Sequence, residues 1–247
     1  MIINTAIILA AGRGTRLNTK FKTILPKPLI PINDVPIIDY VMKNVLEIGI
    51  TRIIMVLNYK SELIIKYLDE NYKQIEKLYV FQETLSGIAD AINLCKPFIY
   101  DSFFVFLGDE INFFKNSSDF LNLYEIFNPI LIEGYVHEED IEVIKRTNEV
   151  NISGNNKISH ATEKPKNPQY LNRGVGIYLF NIDIFKYIDL TPVSKVRNER
   201  EITDTIDIVA KKGKAIGIEL QGSSFNINIS DDIDKVKNYI EKRKDIY

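Results

Sequence analysis

Two glycines, two arginines and a threonine follow a short apolar run in Leu9-Ala10-Ala11-Gly12-Arg13-Gly14-Thr15-Arg16-Leu17, and Pro26-Lys27-Pro28 closes the segment. Glycine has no Cβ, so its backbone N–H group can approach a phosphate closely. Arg13, Arg16 and Lys27 add forked and mobile positive charge around the same anion. The layout suits a polyphosphate. Two familiar phosphate motifs are excluded: there is no Gly-x-x-x-x-Gly-Lys-Ser/Thr, and the third glycine of Gly-x-Gly-x-x-Gly would fall on Leu17. Asp109 is the second chemical candidate, directly after the apolar run Phe103-Phe104-Val105-Phe106-Leu107-Gly108. A carboxylate just past the C-terminal end of a parallel strand sits where ligands bind in open α/β sheets, and Mg²⁺ takes such hard oxygens. A surface lysine and a turn aspartate are the plain alternatives. The prolines that stiffen Lys27 and the strand that precedes Asp109 favour the chemical reading.

The elements around these residues must position them. Ala6-Ile7-Ile8-Leu9 reads as a buried strand that delivers the glycine loop. The runs 53–57, 78–81 and 103–107 are further strands, suited to a parallel sheet covered on both faces. In 36–49, Ile38, Val41, Met42, Val45 and Leu46 recur at helical spacing and Gly49 is the stop. Helices are also expected over 61–71 and 87–96. This alternation predicts right-handed βαβ units and an open sheet. In the second half, 130–136, 141–146, 157–162 and 175–180 read as strands without long helices between them, and 151–156 as a turn cluster. Helices return at about 182–188, 201–212 and 231–243, the last with Ser230 as N-cap and Asp231 and Asp232 in its first turn. The expected fold is α/β: a Rossmann-like, mostly parallel sheet with helices on both faces and a small mixed or antiparallel region at one end.

The bulk properties narrow the partners. The 247 residues suffice for one large α/β domain, and 45% hydrophobic with 26% charged residues is ordinary for a globular protein. A net charge of −2 leaves no electrostatic footprint for nucleic acid, so the local basic loop suits a small anionic ligand. The apolar runs are too short to span a bilayer, and the opening MIINTAIILAAG lacks a basic n-region and a cleavage pattern. No membrane partner is expected. The one cysteine, Cys95, excludes an intramolecular disulfide and suits a reducing cytoplasm, the expected location. With no histidine near it in sequence, Cys95 reads as a buried inert thiol. His137 and His160 offer no credible metal pair.

Taken with its later motifs, the chain resembles the sugar-1-phosphate nucleotidyltransferases, or NDP-sugar pyrophosphorylases, of glucose-1-phosphate thymidylyltransferase type. The matching stretches run in order along nearly the whole chain: LAAGRGTRL at 9–17, PKPLIPI at 26–32, Gln82 with Gly87-Ile88-Ala89-Asp90-Ala91, and Leu107-Gly108-Asp109-Glu110. They continue with Glu163-Lys164-Pro165, Gly174-Val175-Gly176-Ile177-Tyr178 and Glu201-Ile202-Thr203-Asp204. The resemblance implies a GT-A-like nucleotidyltransferase fold in a single domain, with a nucleotide-binding half over about 1–115 and a sugar-phosphate-binding half over about 116–247. It implies Mg²⁺-dependent transfer of a nucleotidyl group from an NTP, dTTP or UTP favoured, to a sugar 1-phosphate, giving NDP-sugar and pyrophosphate. A guanylyl- or cytidylyltransferase for another sugar phosphate or for phosphocholine is one alternative. A non-catalytic subunit that senses nucleotide sugars is another, and a homo-oligomer is compatible with each.

The resemblance also implies roles. Arg16, Lys27 and Asp109 are the catalytic residues: Arg16 aids pyrophosphate departure, Lys27 bridges phosphates at the reacting centre, and Asp109 holds Mg²⁺. Leu9, Ala10, Ala11, Gly12, Arg13, Gly14 and Thr15 form the nucleotide loop, Gln82 meets the base edge and Gly87 lets the base lie close. A glutamine amide both donates and accepts, so it reads more than one base. Glu163 would bind sugar hydroxyls, Lys164 and Arg197 the sugar phosphate, with Gly174 beside them. A second metal ligand falls on Asn226 or Asn228, where the family usually has Asp; an amide oxygen ligates Mg²⁺ without charge. Glu110 stands where the family often has Asn. Asn148-Glu149-Val150 stands where it often has Tyr-Gly-Val, so a glycine that would let a sugar pack on backbone is missing. That departure counts against glucose as the sugar.

Overall fold

The computed structural model describes residues 3–12, 14, 17, 25–195 and 197–243. Arg13, Thr15 and Arg16 of the phosphate loop lie outside the described residues. In chain order, β1 (Thr5–Leu9) is followed by the short strands β2 (Pro31–Ile32) and β3 (Val35–Pro36), then α1 (Ile37–Glu47), β4 (Arg52–Leu57), α2 (Ser61–Asn71), β5 (Glu76–Phe81), α3 (Ile88–Asn93) and β6 (Phe103–Leu107). The second half contains β7 (Glu110–Phe114), α4 (Asp119–Phe127), β8 (Leu131–His137), the single turn α5 (Ile141–Ile144), β9 (Asn148–Ser153), β10 (Lys157–Glu163) and β11 (Asn172–Phe180). It ends with α6 (Ile184–Leu190), α7 (Ile202–Ala210), β12 (Ala215–Glu219), β13 (Gly222–Asn226) and α8 (Ser230–Lys242).

A nine-stranded sheet in the order β5-β4-β1-β6-β11-β8-β12-β10-β9 runs through both halves. β5, β4, β1 and β6 are mutually parallel. Only β10 and β11 oppose the common direction, so the sheet is mostly parallel and mixed at the β9 end, as expected. Alternation along β1 shows why both faces must be covered. Ala6 and Ile8 pack into one apolar layer with Ile38, Met42 and Val45 of α1, Ile64 of α2 and Phe120 of α4. Ile7 points the other way, into a layer with Ala89 and Ile92 of α3, Ile188 of α6 and Ile206 of α7. Gly49, at φ 90°, closes α1 as the sequence predicts. Cys95 lies in that second layer, where burial pushes its thiol up to about 12. Among the described residues no helix is long and apolar enough to cross a membrane.

Three local expectations change. Residues 141–146 form no strand: Asp140 Oδ1 accepts the Glu142 N–H at 3.0 Å and starts α5, whose Ile144 alone is buried. Three apolar residues in four carry no period that separates strand from helix. The turn cluster is shorter than 151–156, because β9 runs on to Ser153 and the turn occupies 154–156, with Asn155 and Asn156 at φ 60° and 59°. Ser230 is the first helical residue of α8, not its cap. The capping group is Asp232, whose Oδ2 reaches back to the Asn228 and Ile229 N–H groups at 2.8 and 2.9 Å.

Candidate active site

The ends of the parallel strands define one rim of the site. Leu9 closes β1, Gln82 follows β5, and Gly108-Asp109 follow β6, all at the carboxyl end of the sheet where an open α/β fold leaves its crevice. A cleft of about 1180 Å³ lies there. It is lined by Leu9, Ala11, Gly12 and Gly14, by Gln82 and Gly87, by Lys27 and Asp109, by Asn226 and Asn228, and by Glu163, Lys164, Gly174 and Arg197. Of the described residues expected at the site, Ala10 alone is absent from this lining; its side chain packs in the apolar layer of α1.

Lys27 and Asp109 meet at the middle of the cleft. Lys27 starts a single 3-10 turn, Lys27–Leu29, fixed by Pro26 and Pro28, and is buried. Its Nζ donates to Asp109 Oδ2 at 2.6 Å and to Asn228 Oδ1 at 3.4 Å. Asn228 Nδ2 in turn donates to Asn226 Oδ1 at 2.7 Å. The small ladder between β7 and β13 makes this meeting possible, for it pairs Asn226 with Glu110, and the Ile227 N–H donates to the Asp109 carbonyl at 3.1 Å. Both candidate asparagines therefore stand beside Asp109. Among the described residues no three His, Cys, Asp or Glu side chains cluster as a metal site.

Gln82 is buried beside Gly87, with Nε2 donating to the Gly87 carbonyl at 3.3 Å. Gly87 has a reason the sequence did not reveal. Its φ of 111° suits only glycine, and a Cβ there would overlap the Arg200 carbonyl. Arg200 N–H donates to Ser86 at 2.8 Å and the Ala89 N–H to Arg200 at 3.1 Å, while Arg200 Nη1 pairs with Asp90 at 3.1 Å. The loop that carries Arg197 is thus stitched to the loop beside Gln82.

At the other end, the β9–β10 hairpin packs Val150, Ile158 and Ala161 into the α7 layer and so brings Glu163 and Lys164 to the cleft. Glu163 Oε1 lies 3.3 Å from both Lys164 Nζ and Arg197 Nη1, and Oε2 accepts from Thr203 Oγ1 at 2.8 Å. Arg197 also reaches Glu199 at 3.0 Å and Glu201 at 2.7 Å, the latter an ion pair poorly aligned for a hydrogen bond. Burial and the neighbouring Glu163 charge raise the Glu201 carboxyl above its ordinary range.

Two buried groups lie under this cleft; sequence reasoning notes Glu110 only as a departure from the family's Asn and misses Glu133 altogether. Glu110 turns into the floor, where Arg173 Nη1 at 3.3 Å, Ser224 Oγ at 2.9 Å and the Gly176 N–H hold it. Burial still raises its carboxyl, against the lowering effect of Arg173. Glu133, on β8, is fully buried, and burial pushes it up to about 8. Its Oε1 accepts from Asn148 Nδ2 at 3.2 Å. The available signal was a lone glutamate inside the otherwise apolar Leu131-Ile132-Glu133-Gly134-Tyr135-Val136, since glutamate is almost never buried without cause.

The sheet order and the crevice at its carboxyl rim define an open α/β fold with its ligand site past the strand ends. A family model described as nucleotidyl transferase matches residues 5–246, and the chain belongs to that family of enzymes. It is 35% identical over 219 residues to the bifunctional protein GlmU of Methanococcus maripaludis strain C7, covering 88% of this chain and 49% of that protein. The chain thus spans about half the length of the GlmU relatives it matches. It is 28% identical over 240 residues to the UTP–glucose-1-phosphate uridylyltransferase AglF of Haloferax volcanii, covering 96% of each. A solved structure described as a glucose-1-phosphate thymidylyltransferase from Bacillus anthracis, in complex with a sucrose, superposes with a TM-score of 0.83 at 27% identity, covering 95% of this chain and 94% of that one. Apo UDP-glucose pyrophosphorylase shares the fold, with a TM-score of 0.86 at 23% identity, over 98% of this chain and all of that one. The resemblance drawn from the motifs and the fold class both hold.

Proposed function

We propose that the chain transfers a nucleotidyl group from an NTP, dTTP or UTP favoured, to a hexose 1-phosphate. The observation that carries this reading is one continuous cleft with the glycine loop, Gln82 and Gly87 at one end, Glu163, Lys164 and Arg197 at the other, and Lys27 and Asp109 between them. A phosphate oxygen of the sugar phosphate attacks the α-phosphorus, the bond from that phosphorus to the α–β bridging oxygen breaks, and pyrophosphate leaves. Positioning and charge neutralisation do most of the work in such transfers.

Lys27 would move from Asp109 to the phosphates, since an ammonium with one partly exposed partner exchanges it readily for a stronger anion. Arg16 and the glycine loop would hold the triphosphate. Lys164 and Arg197 would hold the attacking phosphate, and Glu163 the sugar hydroxyls. The residues at the centre fit a hard cation: the Lys27 ammonium, itself a positive charge, is already shared by Asp109 and Asn228 oxygens. Mg²⁺ held there by Asp109 with Asn226 or Asn228 would neutralise triphosphate charge, and with one carboxylate it would lean on phosphate oxygens. Pyrophosphate release across a matrix of five NTPs against several sugar phosphates tests the reading. Release with no pair, under saturating Mg²⁺, would defeat it in favour of a sensing subunit.

A further inference from the structure

One polar side chain in the wall of the sugar end has its orientation set from behind. Asn148 opens β9 and lines the cleft. Its register partner on β10 is Glu163, so the two side chains leave the same face of the hairpin as neighbours. Asn148 Nδ2 donates to Glu133 Oε1 at 3.2 Å, whereas its Oδ1 accepts no hydrogen bond among the described residues.

The contact behind Asn148 comes at a cost. Glu133 is fully buried, and its carboxyl has no other hydrogen bond among the described residues; Oε2 has none. By burial alone an aliphatic side chain would suit this strand better. The neighbouring strand is shaped around the pair. A Cβ on Gly174 would overlap both Glu133 Oε1 and Asn148 Nδ2, and β11 breaks its register with β8 between Gly174 and Tyr178. What the pair achieves is a defined amide. An asparagine turned by half a revolution about its last bond exchanges its oxygen for its NH₂ group. An acceptor behind it removes that freedom: the NH₂ group turns back to Glu133, and the oxygen is left for the cleft.

We propose that Asn148 Oδ1 accepts a hydrogen bond from one sugar hydroxyl, beside the hydroxyl taken by Glu163, and that Glu133 is the positioning residue that keeps the amide turned this way. This rests on the sugar-phosphate reading above and narrows the substrate: the carbon that faces Asn148 carries a hydroxyl, and a sugar that is deoxy there is rejected. A site built to pair with a hydroxyl discriminates in this direction because its own polar atom is stranded when the hydroxyl is missing. Asn148 is the specificity residue. Glu133 forms no part of the cleft wall and acts only through Asn148.

Calorimetric binding to the full chain, with Mg²⁺ and a non-hydrolysable NTP analogue, tests this without turnover. At pH 9 the Glu133 carboxyl, which burial pushes up to about 8, is ionised and can only accept. The probes are glucose 1-phosphate and its 2-, 3-, 4- and 6-deoxy analogues. Asn148→Ala should remove the penalty of one deoxy position, from about tenfold to about twofold, and leave the other three as they were. Glu133→Leu should do the same at the same carbon, whereas Glu133→Gln, which still offers Asn148 an acceptor oxygen, should keep the ratio near tenfold. Asn148→Ala decides the hydroxyl contact even where Glu133→Leu fails to fold. A merely structural role would weaken all five probes alike, and that result, or no change with Asn148→Ala, would overturn the proposal. Equal behaviour of Glu133→Leu and Glu133→Gln would remove Glu133 from it. A deoxy penalty tied to Asn148 without any pyrophosphate release would leave this inference standing and defeat the catalytic reading; pyrophosphate release with no such penalty would do the reverse. No binding of any probe would overturn both.

Discussion

The two ends of the cleft are positioned by different physics. At the end proposed to take the nucleotide, the lining groups follow directly from parallel strands: Leu9 ends β1, Gln82 follows β5, and Asp109 follows β6. Once the sheet forms, these groups have nowhere else to go. At the end proposed to take the sugar phosphate, called the sugar end below, Glu163, Lys164 and Arg197 come from a hairpin end and a loop, and their places depend on one another through shared ion pairs. Topology fixes the first end and electrostatics the second. On the proposed function, the reacting groups belong to the first end, and substrate choice to the second, whose ion pairs a substrate would redistribute.

The sharpest test of that division lies at the junction. Asp109→Asn removes the carboxylate that pairs with Lys27 and should lower the rate of pyrophosphate release about 10²–10³-fold. The residue sits on a turn outside the apolar layers, so the melting temperature should stay within a few degrees, about the effect of 1 kcal/mol in a protein of this size. A near-normal rate at limiting Mg²⁺ would remove Asp109 from the chemistry.

The next test sets one lysine from each end against the other. Lys27→Ala should lower kcat, because in the proposed reaction its ammonium stabilises charge that shifts toward the leaving pyrophosphate in the transition state. Lys164→Ala should raise the sugar-phosphate KM by roughly 10–100-fold and spare kcat. If both variants change the same constant, the cleft is not divided as its geometry suggests.

How far each end was legible in the sequence follows from the same difference. Periodicity exposes strands and the residues that follow them, so β1, β4, β5 and β6 and the Asp109 position could be read directly. The four residues of α5 were too few to show a helical period, and the β7–β13 ladder that carries Asn226 to Asp109 joins segments far apart in the chain. Glu133 was visible only as an anomaly, a glutamate in an apolar run, and Asn148 only as part of a stretch that departs from Tyr-Gly-Val. Their pairing depends on the β11 bulge and on Gly174, which no local pattern encodes.

A smaller effect should separate the two asparagines at the junction. Asn228 Oδ1 faces Lys27, whereas Asn226 Oδ1 is occupied by the Asn228 amide. An added carboxylate at the true ligand position should tighten Mg²⁺ binding in the absence of nucleotide by about tenfold, the worth of one further charge at a half-exposed site. Calorimetric Mg²⁺ titration of Asn226→Asp and Asn228→Asp checks this. Asp at the other position should have no effect on metal binding. Equal effects would mean that both oxygens reach the ion.

The last prediction concerns stability at the sugar end. Glu133 is the best probe, because burial is the main cause of its raised pKa and the nearby Glu163 and Glu110 carboxylates add to it. Asn148 pulls the other way by hydrogen bonding, and Tyr178, itself raised well above the phenol range, packs against the same group. The folded carboxyl titrates at about 8 against an ordinary value of 4.5. Between those values the native state holds a proton that the unfolded state has lost. Stability from this residue is therefore fully present below the lower value and drains away as pH rises, by at most about 1.4 kcal/mol per unit. Above the upper value both states are ionised and the slope vanishes. Glu133→Gln removes the titration without removing the hydrogen bond to Asn148, so the variant should gain on the parent steadily from pH 5 to about 8 and then hold level. Urea unfolding of both proteins across this range reads the difference, and the other raised carboxyls, Glu110, Glu201 and Asp204, largely cancel because both proteins carry them. Parallel stability curves would mean that Glu133 ionises normally, and the sugar end would then owe its order to packing, as the nucleotide end does.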